Sequence, residues 1–233
     1  MRTLSTALDV GLRAIRIQSL WNRKELISVR LSHSQRELLE KATSHYQKEI
    51  GQAEEYLVGR GLTLQDAHTA RLGFVADPLP GYEQFAGRLA IPYVTPAGVV
   101  DIRFRSIGIQ EPKYMGMPGV QTRLYNVNAL LTAEEYIAVC EGEIDAITLN
   151  YKCGIPAIGV PGANSWKRHY SRLLQDFETI YVFADGDQPG SDFAKKIAQE
   201  VQGVMIVNMP ESQDVNSMYL TVGADYFRKK VAA

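Results

Sequence analysis

The sequence predicts an α/β protein: a parallel sheet with helices on both faces, preceded by a smaller, basic α+β subdomain. Three observations predict it. From Tyr136 onward, apolar runs of strand length alternate with helical stretches, the order that builds βαβ units. Upstream, RLAIPYVTPAGVVDIRFRSIG (88–108) is rich in β-branched and aromatic residues around a turn at Pro96–Gly98, a hairpin signal. Before the hairpin, from Ser34 to about Glu49, the apolar spacing is helical.

Taken in order, residues 1–33 are predicted as a basic helical extension. Leu8, Leu12, Ile15 and Ser19 have helical spacing, and Arg13, Arg16, Arg23 and Lys24 supply charge. A solvated helix is the plainer reading and a nucleic-acid arm the functional one. The α+β subdomain occupies 34–130. It starts with the helix Ser34–Glu49 and a second helix, Ala53–Arg60, that stops at Gly61. Thr63 caps a third, with Asp66 in its first turn and Gly73 beyond its end. The hairpin follows, then a looser segment punctuated by Pro112, Gly116, Pro118 and Gly119. A boundary without a flexible linker falls near 125–133, and residues 131–233 form the sheet domain with its C-terminal helices. There the predicted strands are Tyr136–Cys140, Pro156–Val160, Thr179–Ala184 and Val204–Val207. The predicted helices between them are Glu143–Lys152, closed by Gly154, then Ser165–Gln175 and Asp192–Val201.

With 45% hydrophobic and 22% charged residues, the chain has the composition of a folded globular protein. No apolar run approaches the roughly 20 residues that span a bilayer, and the N-terminus lacks the apolar core of a secretory signal. A cytoplasmic protein without a membrane partner is the expectation. Cys140 and Cys153 form no C-x-x-C and read as buried, reduced thiols. His33, His45, His68 and His169 are too dispersed to join them in a zinc site. The formal net charge is −1, but its distribution is uneven. Arg88, Arg103, Arg105, Lys113 and Arg123 face only Asp101 and Glu111 in their stretch, and acid gathers later. A basic face beside an acidic pocket suits metal-assisted chemistry on a polyanion, and many ordinary surfaces have the same charge pattern.

Ligands in open α/β sheets gather beyond the carboxyl ends of the strands. Glu141 follows the strand Tyr136–Cys140 directly, and Asp185 follows Thr179–Ala184. Asp187 lies one residue beyond Gly186, on the same side as Asp185 if the turn is extended, with the glycine removing obstruction between them. Asp145, four residues after Glu141, can lean toward the same rim from the first turn of the next helix. Mg²⁺ takes oxygen ligands and keeps several waters, so these carboxylates suit it better than zinc or a redox metal. Crowded carboxylates also repel and hold protons unless a cation neutralises them. Each element has a dull explanation as a turn, a helix-dipole charge or a strand exit. Their joint placement after successive strands favours a site.

CEGEIDAITL (140–149) followed by FADGDQPG (183–190) resembles the TOPRIM motif shared by DnaG-type primases, topoisomerases of types IA and II and certain nucleases. The motif's glutamate matches Glu141 and its D-x-D pair matches Asp185 and Asp187. GVPGANSW resembles a loop of phage primases and primase–helicases. MPESQDVNSMYLTVGADYF resembles that group's stretch in which an Asp precedes an Asn, and so adds Asp214 as a metal candidate. Upstream, EEYLVGRGLTLQDAHTARLGF is similar to the helical lead-in of the DnaG polymerase core. The hairpin resembles its basic strand pair, with Arg88 and Arg105 at the matching positions, and EPKYMGMPG resembles its P-K-Y segment, with Lys113 as the lysine. The resemblance covers roughly residues 35–232.

It implies a Rossmann-like TOPRIM sheet and DNA-templated synthesis of RNA primers on single-stranded DNA from ribonucleoside triphosphates. Mg²⁺, with Mn²⁺ as the substituting ion, would be held by Glu141, Asp145, Asp185, Asp187 and Asp214. Glu141, Asp185 and Asp187 would be catalytic, and Arg88, Arg103, Arg105, Lys113 and Tyr114 would bind template or nucleotide. Tyr114 reads as a structural aromatic ahead of a base-stacking ring. The N-terminal zinc-binding domain and the helicase parts common among such primases have no counterpart here, which implies a helicase or a separate zinc-binding primase subunit as partner, in a bacterial cell or encoded by a phage. Two other readings stay open: a TOPRIM metal-dependent nuclease, and a non-catalytic replication accessory protein.

Overall fold

The computed structural model describes residues 31–232. The expectations for residues 1–30, including the basic helical spacing, lie outside the described residues. The first element, α1 (His33–Gln47), is started by a reciprocal cap. The Gln35 N–H donates to Ser32 Oγ at 3.2 Å and the Ser32 N–H to Gln35 Oε1 at 2.9 Å, which satisfies donors that a helix start leaves free. Ala42 and Tyr46 turn its buried face inward. After a 3-10 turn at Ile50–Ala53 come α2 (Glu54–Gly59) and α3 (Leu64–Thr69). Thr63 and Asp66 form a capping box at the start of α3, as the sequence predicts.

The first sheet is antiparallel, in the order β1 (Gly73–Phe74), β2 (Arg88–Thr95), β3 (Gly98–Ser106), β4 (Tyr114–Met115). A register shift between Tyr93 and Val94 bends the β2–β3 hairpin. One face packs Ala90, Ile102 and Phe104 against Ala42 and Tyr46 of α1. The other presents Leu89, Ile91 and Tyr93 to the second half of the chain, in one buried cluster with Ala138, Cys140 and Phe183.

The second sheet is parallel, ordered β6 (Ala157–Gly159), β5 (Tyr136–Cys140), β7 (Thr179–Ala184), β8 (Val204–Asn208). Its central strands bury both faces. Ala138, Cys140, Tyr181 and Phe183 meet α5 (Glu143–Ile147) and the C-terminal helix α8 (Ala224–Val231). Ile137, Val139, Ile180 and Val182 meet α4 (Ala129–Thr132) and α6 (Gln188–Glu200). Helices therefore cover both faces, as expected for βαβ units. The chain goes from β5 outward to β6, returns to β7 and continues to β8. The direction of strand order reverses between β5 and β7, the switch point at which such sheets open a crevice.

Three expected elements differ. The helix after β5 passes from α5 into a π turn at Thr148–Cys153 before Gly154 closes it at φ 70°. The stretch predicted as a helix from Ser165 to Gln175 is a pair of 3-10 turns, Ala163–Ser165 and Arg168–Leu173. Trp166, Tyr170, Leu173 and Leu174 do have helical spacing and are buried. Serines bend the backbone instead, Ser165 Oγ donating to the Pro161 carbonyl and Ser171 Oγ to that of Arg168. Helix α6 starts at Gln188, before the predicted Asp192, because Asp187 caps it and Pro189 occupies its first turn. Beyond it lie β8 and α7 (Val215–Val222), which is followed directly by α8. Cys140 and Cys153 are both buried and free.

Candidate active site

The switch point places Glu141 at the end of β5 and Asp185 at the end of β7, on neighbouring strands. Gly190, in the first turn of α6, lets them converge. A Cβ there would sit 2.8 Å from Glu141 Oε1 and 2.8 Å from the Asp185 nitrogen. Glu141 Oε1 and Asp185 Oδ1 are buried and accept no hydrogen bond. A buried acceptor left unmade is destabilising, and these two are the rim oxygens that a cation would take up.

The remaining carboxylates are tied into the frame. The sequence reading gave Gly186 the task of clearing space between the aspartates. In the fold the glycine is required by another neighbour, since a Cβ on it would overlap the Pro210 carbonyl oxygen. The Gly186 N–H donates to the Gln213 carbonyl at 2.8 Å, and the Ser212 N–H to the Gly186 carbonyl at 2.9 Å, locking D-G-D to segment 210–213. The turn is bent, not extended, with the Asp187 N–H donating to the Asp185 carbonyl at 2.8 Å. Asp187 is exposed and its Oδ1 accepts the Gly190 N–H at 2.8 Å as the cap of α6. Asp145 is buried, and its Oδ1 accepts the Asn216 N–H at 2.9 Å. Asp214 caps α7, accepting the Ser217 N–H at 2.6 Å.

Electrostatics group these residues into one field. Burial first, then the charges of Asp145, Glu141, Asp214 and Asp187, push the Asp185 carboxyl up to about 8. Burial also raises Glu141 to about 7, against the pull of the Asp185 backbone N–H and helped by the charge of Asp187. Asp145 is raised to about 7 by burial and Asp214, opposed by the Asn216 N–H and by Arg105 and Arg60. Among the described residues no three His, Cys, Asp or Glu side chains converge as a preformed metal cage.

Beside the rim, the predicted basic residues form two groups. Arg103 and Arg105 each place a guanidinium 4.9 Å from the centre of the Tyr114 ring, and Arg105 hydrogen-bonds the Tyr114 hydroxyl. Arg103 Nη1 also donates to Glu143 Oε1 at 2.7 Å, an oxygen that accepts from the Tyr93 hydroxyl at 2.6 Å as well. Tyr114 is thereby engaged in holding the two arginines. Arg88 stands apart: it is buried and donates to the Pro112 carbonyl at 2.7 Å and the Glu111 carbonyl at 3.3 Å, fixing the P-K-Y loop from beneath. In this geometry the Arg88 guanidinium faces loop carbonyls rather than open solvent. Lys113, in that loop, is exposed.

Comparison with known proteins gives this rim its lineage. Residues 138–219 match the Toprim-like family. The Gene 57 protein of Mycobacterium phage D29 is 43% identical over 152 residues, covering 63% of this chain and 99% of that protein. The chain belongs to that protein's family. Beyond the family, the DNA primase of Pseudomonas aeruginosa is 24% identical over 225 residues, covering 77% of this chain and 34% of the primase. The chain thus spans about a third of that bacterial relative. A solved structure of the DnaG primase catalytic domain bound to single-stranded DNA superimposes with a TM-score of 0.69 at 19% identity, covering 94% of this chain and 80% of that one. The chain carries a Toprim-like region and has the fold of the DnaG primase catalytic core.

Three residues of this Toprim rim escaped the sequence reading. Glu143 is 1% exposed and joins the two sheets through Arg103 and Tyr93. Asn216 is fully buried, and its Nδ2 donates to the Arg60 carbonyl at 2.8 Å and to Thr148 Oγ1 at 3.0 Å. Through Asn216, Asp145 is connected to the α2–α3 corner. Gly190 read only as part of a turn. A charged residue that opens a helix between Gly142 and Ile144 was the available signal for Glu143. Asn216 stood only as the Asn of the resembled stretch and Gly190 gave no signal, because their roles depend on which loops meet.

Proposed function

We propose that this chain synthesises short RNA primers on single-stranded DNA by Mg²⁺-dependent nucleotidyl transfer. The observation that carries the reading is the pair of buried, unpartnered oxygens, Glu141 Oε1 and Asp185 Oδ1, at the switch point of a Toprim sheet. Glu141, Asp185 and Asp187 would hold Mg²⁺, or Mn²⁺ in its place, and Asp145 and Asp214 add negative field from behind. When bound, the metal supplies neutralisation of the triphosphate charge.

The protein's own groups then have separable tasks. Glu141, raised to about 7 in the metal-free rim, would give up its proton as a cation takes Oε1, which leaves the second carboxylate oxygen to accept one from the attacking 3′-hydroxyl oxygen. That oxygen attacks the α-phosphate of the incoming ribonucleotide, and pyrophosphate leaves. Arg103 and Arg105, fixed by Glu143 and Tyr114, present a preorganised positive field to the triphosphate. Exposed Lys113 meets template phosphate as a point charge, while Arg88 acts by holding the loop that carries it. A solved neighbour carries single-stranded DNA on the same fold, which supports the choice of template. A replicative helicase or a zinc-binding primase subunit is the partner this reading expects.

The test is incorporation of labelled ribonucleotides into product on single-stranded DNA with Mg²⁺. Product that requires template and disappears in Asp185→Asn supports the proposal. Shortening of DNA or RNA without nucleotide addition reassigns the rim to a nuclease. DNA binding indifferent to EDTA, with no incorporation, reassigns the chain to an accessory protein.

A further inference from the structure

Beside the outer edge of the parallel sheet, where Tyr125 bridges to Gly159 of β6, lies a cleft of about 260 Å³. It is walled by the β2–β3 hairpin, segment 121–127 and the turn Arg168–Leu173, and none of the five rim carboxylates lines it. Residues 160–166 connect the two places: at one end the Gly162 N–H donates to the Glu141 carbonyl at 3.1 Å, and at the other the chain delivers Lys167 to the cleft.

Its chemistry is one-sided. Arg123, Lys167 and His169 line it together with Thr122, and no Asp or Glu does. Arg123 Nε is buried without a hydrogen-bond partner. Lys167 Nζ reaches only neutral oxygens, Gln121 Oε1 at 3.3 Å and the Thr122 carbonyl at 3.1 Å. Among the described residues neither Arg123 nor Lys167 is ion-paired. Asp101, whose carboxyl feels the Arg123 charge, lies outside the lining. Arg123, without an ion-pair partner among the described residues, and the Lys167 ammonium on neutral oxygens are both set for a charge-assisted bond to a phosphate. Val100, Leu124 and Val127 supply an apolar part of the lining. Ligand sites are commonly about 300–1,000 Å³, and this one, just below that range, takes a single small ligand with one anionic end.

We propose that this cleft is a second nucleotide site, taking a free nucleoside phosphate with its phosphates on Arg123, Lys167 and His169 and its nucleoside along the apolar part of the lining. It is separate in lining from the carboxylate rim, and it needs no divalent metal because the protein supplies the positive charge.

The experiment is equilibrium dialysis of the full chain against labelled ATP in EDTA. Saturable binding is expected, weakened at least tenfold by Lys167→Glu and by Arg123→Gln, and unchanged by Asp185→Asn. Lys167 is half-exposed, so its variant reads the site even if removal of the buried Arg123 group perturbs folding. Competition separates the sources of phosphate: unlabelled ATP should displace the label, and a short oligothymidylate without terminal phosphate should not. Absence of binding, binding indifferent to both cleft variants, or binding lost with Asp185→Asn would overturn the proposal. Displacement by the oligothymidylate would also overturn it, by giving the cleft to a nucleic-acid strand.

Discussion

Asp185 gathers more unfavourable charge than any neighbour on the rim, and its acidity has a stability consequence. A carboxyl at about 8 in the fold and at about 3.9 in the unfolded chain binds more protons folded than unfolded between those limits. Its contribution is therefore full below about pH 4 and is lost as pH rises through about 8. Glu141 and Asp145, both raised to about 7, act in the same direction. In metal-free buffer the melting temperature should fall from pH 5 to pH 8. Asp185→Asn should flatten that slope and abolish the rise that Mg²⁺ produces at pH 8. Scanning fluorimetry with EDTA and with Mg²⁺ reads both, and a slope unchanged in the variant would contradict the assignment. Glu143 is a residue of another kind, a buried anion with Arg103 and Tyr93 as partners. Glu143→Ala should lower unfolding free energy by about 3–5 kcal/mol, since it strands a largely buried arginine. Urea denaturation checks it, and a loss under 1 kcal/mol would mean that the pair is dispensable. Glu141 and Asp185 were legible in the sequence because each directly follows an apolar strand. Glu143 was not, because its partners come from a sheet more than thirty residues upstream.

Among the elements, α6 joins structure to site. Asp187 caps it and was proposed as a metal ligand, and two substitutions separate those roles. Asn caps as well as Asp, whereas loss of a cap to Ala destabilises by about 1 kcal/mol. Asp187→Asn should keep stability and lose most primer synthesis; Asp187→Ala should lose both. Equal activity in wild type and Asp187→Asn would confine Asp187 to capping. The bend of D-G-D offers a second test. Gly186→Ala meets the Pro210 carbonyl and should destabilise the chain, while Gly51→Ala, with nothing within 4 Å, should not. Thermal melts of the two variants decide it. The sequence carried the Asp-x-Pro signal for the start of α6, yet the same stretch also reads as a turn, and the expected start fell at Asp192. The 3-10 turns at 163–173 were illegible for a different reason. Their apolar spacing is that of a helix, and the deciding serine-to-carbonyl bonds depend on the tight loop around them.

At the scale of the whole molecule, the antiparallel sheet and the parallel sheet share one buried cluster, from Leu89 and Ile91 to Cys140 and Phe183. The period change near residue 88 and the alternation after residue 136 made both sheets readable from sequence. Their shared core was not, since apolar periodicity says which face is buried and not what buries it. The two sheets are accordingly expected to unfold in a single transition. Coincident urea curves from far-ultraviolet and near-ultraviolet circular dichroism would agree, and two separated midpoints would not. The shared core also holds the arginine pair of one sheet at a fixed place beside the carboxylates of the other, the preorganisation that the proposed chemistry needs. The most direct test of that chemistry is anomalous diffraction from crystals soaked in Mn²⁺. The expected result is a peak within coordinating reach of both Glu141 Oε1 and Asp185 Oδ1. A rim without bound metal in crystals of a chain that still makes primers would contradict it.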